Sequence, residues 1–352
     1  MVRRSITDQG SANNASISAT TTSNNIKTIA TGIVAVCAWD NGVISLNSSS
    51  NSKPSTANSI ITSSGYASGV AYINGVTNAN YTAYISACAN SQAISGKIAS
   101  GILVVDSDTL GDRVFDIGEN GNTTNSGAIT GTLLASGISG YIQGDGLTNL
   151  ITFNLKQAVT TDLGLKFIQV QTAYSNAYAA GIAVAIGGFV NQINGKIVNV
   201  KQVYVDSPSG GDCIAMVAGL VVAKYANIIS GDNGINDSPT AKVFALVPVI
   251  YGDEDVDGNQ TIKQGALVTG GVIAYNVNAE KTYNIKGVTN ICSIGLGYSG
   301  EIIKTGIYIV GGSNYTISGN KYTGTDLTGV RERQTGVDLS NLPEDWYLSI
   351  GF

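Results

Sequence analysis

The chain contains no histidine in its 352 residues. That absence excludes Ser–His–Asp triads, Cys–His dyads, histidine-ligated zinc and histidine proton relays. Charge is also scarce, with Asp, Glu, Lys and Arg making up 12% of the chain, about half the usual share. A coiled coil, which needs charged flanking positions, and highly charged disorder are therefore excluded. A net charge of −5 and a pI of about 4.8 offer no basic surface to nucleic acid. No apolar run reaches the length of a membrane helix. The residues behind Arg3 and Arg4 are polar, unlike a secretory signal. The four cysteines, Cys37, Cys88, Cys213 and Cys292, form no CxxC pair, which leaves a zinc ribbon unsupported. Each lies among small apolar residues, so buried free thiols are expected.

What is abundant is glycine, at 44 residues, and apolar side chains, at 43%. The glycines do not fall at every third position, which excludes collagen. They mark a repeat instead: a small residue, then Gly, then an aliphatic strand. It runs Ala30-Thr31-Gly32-Ile33-Val34, Ala67-Ser68-Gly69-Val70-Ala71, Ala99-Ser100-Gly101-Ile102-Leu103 and Ala135-Ser136-Gly137-Ile138. Further copies surround Gly181, Gly219, Gly271 and Gly306. Subtracting successive positions gives gaps of 37, 32, 36, 44, 38, 52 and 35 residues, and the long gap holds a degenerate copy at 243–247.

Short Val-, Ile-, Tyr- and Thr-rich segments at quasi-regular spacing, separated by polar turns, predict an all-β fold. A β-solenoid resembling a parallel β-helix explains why one motif recurs, because each coil buries its apolar face only by stacking on the next. A β-sandwich and a β-barrel are the alternatives. Gly and Ala before each strand suit a tight corner, and polar corner residues such as Asn and Ser can stack in ladders. Helical periodicity is nearly absent, with a turn or two allowed between Leu163 and Ala180.

The segments 217–222, 270–276 and 288–295 resemble GLUG-type repeats, with Val217-Ala218-Gly219-Leu220 and Gly270-Gly271-Val272-Ile273 carrying the likeness. The closing Asn341-Leu342-Pro343-Glu344-Asp345-Trp346 resembles the tail of such proteins. The resemblance implies a solenoid of β-strands in a bacterial surface protein or adhesin.

The organisation expected is a polar, flexible arm over residues 1–26, a repeat domain over 27–330 and an assembly tail over 331–352. In that tail Trp346, Leu348, Ile350 and Phe352 alternate with Tyr347, Ser349 and Gly351, the period of a strand with one apolar face. It either closes the chain's own core or adds to the sheet edge of another copy. Solenoid ends expose unpaired backbone, and low charge with a mean hydropathy of +0.15 suggests surfaces covered in use. Head-to-tail self-assembly into an extracellular filament, tube or surface layer is thus the expected function, with adhesion to a surface glycan as the rival. A β-helix enzyme acting on polysaccharide ranks third, and no catalytic residues are assigned.

One motif suggests a metal. Asp253, Asp255, Asp257 and Asn259 place oxygen ligands at alternate positions around Gly258, as at the start of a Ca²⁺ loop. Gln264 stands where the usual bidentate Glu would be. Weaker groups are Asp106 with Asp108 and Asp112, and Asp232 with Asp237. Arg113 beside Asp112 and Asp116 is the mid-chain acid–base cluster, read as a salt-bridged loop.

Overall fold

A computed structural model describes residues 4–22, 27–39, 42–52, 60–75, 81–107, 113–118 and 121–143. From Ile151 to Tyr322 it describes the strands and a few adjoining residues. Among these residues there is no helix, and the strands stack coil upon coil in parallel register. The protein is a parallel β-solenoid. Hairpin-built sandwich and up-and-down barrel alternatives fail because their neighbouring strands would pair antiparallel.

Each of the first five coils contributes to five columns. Column A holds Arg4–Gln9, Gly42–Asn47, Tyr81–Ser86, Arg113–Ile117, Ile151–Leu155, Phe189–Asn194, Ser230–Asp232, Thr282–Lys286 and Asn314–Ser318. A short corner column follows, with Ala12–Asn13, Ser50–Asn51, Ala89–Asn90, Thr123–Asn125 and Val159–Thr161. Column C1 begins with Ile17–Ala19 and Ile60–Ser63, column C2 with Ile29–Thr31 and Tyr66–Ser68. Ala93–Ser100 and Ile129–Ser136 then run through both C1 and C2, with a register shift between Gly96 and Ile98. Column C3 stacks Val34–Trp39, Ala71–Gly75, Leu103–Ser107 and Ser139–Gln143.

Alternation decides what lies inside. In column A, Ile44 and Leu46, Ala83 and Ile85, and Phe115 and Ile117 are buried, while Val43 just before Ile44 and Tyr84 between Ala83 and Ile85 are exposed. Each fully buried Leu, Ile or Phe contributes roughly 1.5–3 kcal/mol. C3 differs, because Ala71, Tyr72 and Ile73, then Leu103, Val104 and Val105, are buried on both faces. Parallel strands covered on both sides read as continuous apolar runs. C2 covers the second face: the Tyr66 and Tyr72 rings lie 5.4 Å apart. A Cβ on Gly140 would lie 2.8 Å from Leu134 Cδ2.

The recurring glycines stand at the C2–C3 corner for want of space, not for a left-handed backbone. A Cβ on Gly69 would lie 2.0 Å from Gly101 O and 2.7 Å from Asn90 Cγ, and Gly32 and Gly101 meet the same pair of obstacles one coil away. The positive-φ glycines of the described backbone are elsewhere, at Gly10, Gly42, Gly118 and Gly121.

Three expectations are corrected. Residues 4–19 are not a free arm: Arg4–Gln9, Ala12–Asn13 and Ile17–Ala19 pair in register with Gly42–Asn47, Ser50–Asn51 and Ile60–Ser63. Polar residues suffice there because coil-to-coil pairing uses backbone groups, so the repeat already includes Arg4–Gln9, Ala12–Asn13 and Ile17–Ala19. Within 163–180 the described residues form strands Ile168–Gln171 and Asn176–Ala180, each paired with the coils on both sides. The strand Lys242–Leu246 belongs to C1 and is no copy of the glycine corner. The long glycine gap arises from an inserted hairpin, in which Ile250–Glu254 pairs antiparallel with the start of Gln260–Asn276.

Candidate assembly edge and buried polar columns

A ladder of asparagines fills the corner. Asn13 Nδ2 donates to Asn51 Oδ1 at 2.8 Å, Asn51 Nδ2 to Asn90 Oδ1 at 2.6 Å, and Asn90 Nδ2 to Asn125 Oδ1 at 2.6 Å. Three of the four amides also close a local loop. Asn90 Nδ2 donates to Gln92 O and Asn90 Oδ1 accepts from Gln92 N–H, and the pattern repeats at Asn13 with Ala15 and at Asn125 with Gly127. Asn51, Asn90 and Asn125 are buried, so these bonds satisfy groups that water cannot reach. The ladder was legible only as a class of residue. Its signal is Asn two positions before an indented backbone segment, recurring with the coil.

Two positions earlier on the same turn lie Ser49, Cys88 and Thr123, all buried. Cys88 is a free thiol, as expected, and its Sγ lies 3.4 Å from Ser86 O. Burial pushes the Cys88 thiol up to about 11, with a smaller contribution from the Asp8 carboxylate.

A second polar group ties three coils. Lys27 Nζ lies 3.0 Å from Asp106 Oδ2, and Tyr72 Oη donates to the same oxygen at 2.9 Å. Burial, with the Asp106 carboxylate beside it, drives the Tyr72 hydroxyl far above its ordinary value.

Among the described residues, the five strands of the first coil pair on one side only, with the second coil. Residues 5–22 include none that is buried. Gly10 N–H donates to Asn47 O at 2.9 Å. Peptide groups alternate along a strand, so those of Thr7 and Gln9 point away from the second coil. One side chain breaks the apolar pattern. Asp8 occupies the register position of Leu46, Ile85, Ile117, Leu155 and Ile193. Its two carboxylate oxygens accept hydroxyl bonds from Ser11 and Ser49. Asp8 was not singled out from the sequence, where one Asp in a polar segment carries no signal until register is known.

The sequence-derived sites fare differently. Asp253 lies in the hairpin strand Ile250–Glu254, while Asp255, Asp257 and Asn259 lie outside the described residues. Trp346, Leu348, Ile350 and Phe352 lie outside them too, as do Cys213 and Cys292. Asp106 is engaged by Lys27 and Tyr72, and Asp116 falls in column A. Asp108, Asp112 and Asp237 are outside the described set, and Asp232 ends a column A strand. Among the described residues no three Cys, Asp or Glu groups gather to hold a metal ion.

Comparison with known protein families, with characterised proteins and with solved structures finds no match to this chain.

Proposed function

We propose that this chain is a structural protein that stacks end to end with copies of itself, outside the cell or at its surface. The observation that carries the reading is the first coil, whose strands are hydrogen-bonded on one side only among the described residues. Each internal coil presents the same two complementary edges, so a second copy offers the natural partner for an unpaired one. The low charge and the resemblance to GLUG-type surface repeats support the same reading.

Sedimentation velocity over rising concentration, with negative-stain microscopy, tests it. Filaments that disperse on dilution are expected. Thr7→Pro removes an outward N–H without touching an internal bond and should suppress them. A folded chain that stays monomeric at every concentration would sink the reading.

A glycan-binding face is the second reading, favoured by Tyr84. Its ring is 37% exposed on column A, in register with Ser45 and Asp116 on the neighbouring coils. An aromatic face flanked by hydroxyl and carboxylate groups suits a sugar ring. Loss of saturable glycan binding in Tyr84→Ala, with assembly unchanged, would favour it.

A further inference from the structure

We propose that Asp8 is a charge lock on the first coil's edge, weakening its stacking on a second copy while its half-buried carboxylate carries its charge. The inference rests on the stacking reading above and specifies what controls it. A register-matched copy would extend each column by one rung. In column A the last described rung, Asn314–Ser318, follows Thr282–Lys286 with Ile317 opposite Ile285. Ile285 follows Gly231 and Ile193, so Ile317 stands in the column that Asp8 begins. A rung that keeps this column's apolar pattern would lie over the Asp8 carboxylate and strip its water. An inward-pointing charge on an edge strand is a known means of blunting it.

The hydroxyls of Ser11 and Ser49 serve Asp8 but bring no positive charge. On the packed coil the buried Cys88 thiol is held up chiefly by burial and also by the Asp8 carboxylate, and it brings no positive charge. The rest of the edge favours stacking: Ile6 continues the column of Ile44 and Ala83, and Asn13 ends the amide ladder with its oxygen outward of Asn51. One residue therefore sets the edge against its own register. The partner it admits is a copy that meets Asp8 neutralised, or one that brings a cation to it.

The test compares wild type, Asp8→Asn and Asp8→Leu at neutral pH by sedimentation velocity and microscopy. Asp8→Leu should form filaments at a concentration at least about tenfold below wild type, equivalent to ~1.4 kcal/mol, with Asp8→Asn between them. The double variant Thr7→Pro/Asp8→Leu should lose the gain, which separates edge stacking from non-specific association of an added Leu. Asp8→Asn keeps the shape and guards against a misfolded Leu variant. Equal filament formation by all three single-site proteins overturns the lock and leaves stacking intact. Folded monomers of all three at every concentration overturn stacking, and the lock with it.

Discussion

Asn90 lies between Asn51 and Asn125, accepting an amide hydrogen bond from one and donating to the other, each at 2.6 Å. It is 2% exposed, so no water replaces either neighbour. Asn90→Ala removes the partner of a buried Asn51 donor and of the Gln92 N–H and C=O, and leaves Asn125 Oδ1 with Gly127 N–H alone. At about 1–3 kcal/mol for each orphaned group, a loss of roughly 3–5 kcal/mol is expected in urea unfolding. Asn90→Asp should be worse at neutral pH, because a carboxylate cannot donate to Asn125 Oδ1 and no cation lies in the ladder. Burial raises the new carboxyl's pKa, so the deficit is present above that pKa and shrinks as pH falls through it.

Gly69 and Gly10 make a matched pair of alanine tests. A Cβ on Gly69 collides with Gly101 O at 2.0 Å and with the Asn90 side chain, neither of which can yield without parting two coils. Gly69→Ala should cost more than about 3 kcal/mol, beyond ordinary overpacking. Gly10 has nothing within 4 Å of such a Cβ but holds φ at +76°. Gly10→Ala should cost only about 1 kcal/mol, the strain of a left-handed alanine. Equal losses in thermal unfolding would mean that the corner is looser than its spacing indicates.

Cys88 should resist alkylation in the folded chain and react on unfolding, as read by peptide mass spectrometry. Its thiol titrates near 11 when folded, against an ordinary 9.0. The unfolded chain therefore releases this proton first, and folding stability should fall as pH rises from about 9 to about 11. Cys88→Ser should reduce that slope. It should be well tolerated, since Ser49 and Thr123 already occupy the same position in the adjacent coils.

The Lys27–Asp106–Tyr72 group should break unevenly. Lys27 is 47% exposed, so Lys27→Ala should cost under about 1 kcal/mol. Asp106→Ala removes the acceptor of a buried hydroxyl and should cost roughly 2–3 kcal/mol. Asp106→Asn keeps an acceptor for Tyr72 and should fall between them. Chemical denaturation of the three variants gives the order directly.

The glycine corner could be read in the sequence because a small residue, Gly and an aliphatic run recur together around Gly32, Gly69, Gly101 and Gly137. The same pattern carried the solenoid, since nothing in a sandwich repeats one corner so often. The first coil could not be read this way. Ser5, Thr7, Ser11 and Asn13 look like linker until backbone pairing with the second coil is known. Asp8 is intelligible only from the five apolar residues that follow it in register, and register is not local in sequence. The inserted hairpin disguised itself as a longer repeat, because length alone does not show that Ile250–Glu254 turns back antiparallel.

The three amide bonds from Asn13 to Asn125 all point the same way, each nitrogen donating toward the later coil. A row of aligned dipoles polarises each member further and gives the rod a direction. At its first member, Asn13, the carbonyl oxygen faces the early side, while its last member, Asn125, is followed in register by Thr161. Any fibre made from such rods would have distinguishable ends, and growth at one could proceed at a rate the other does not share.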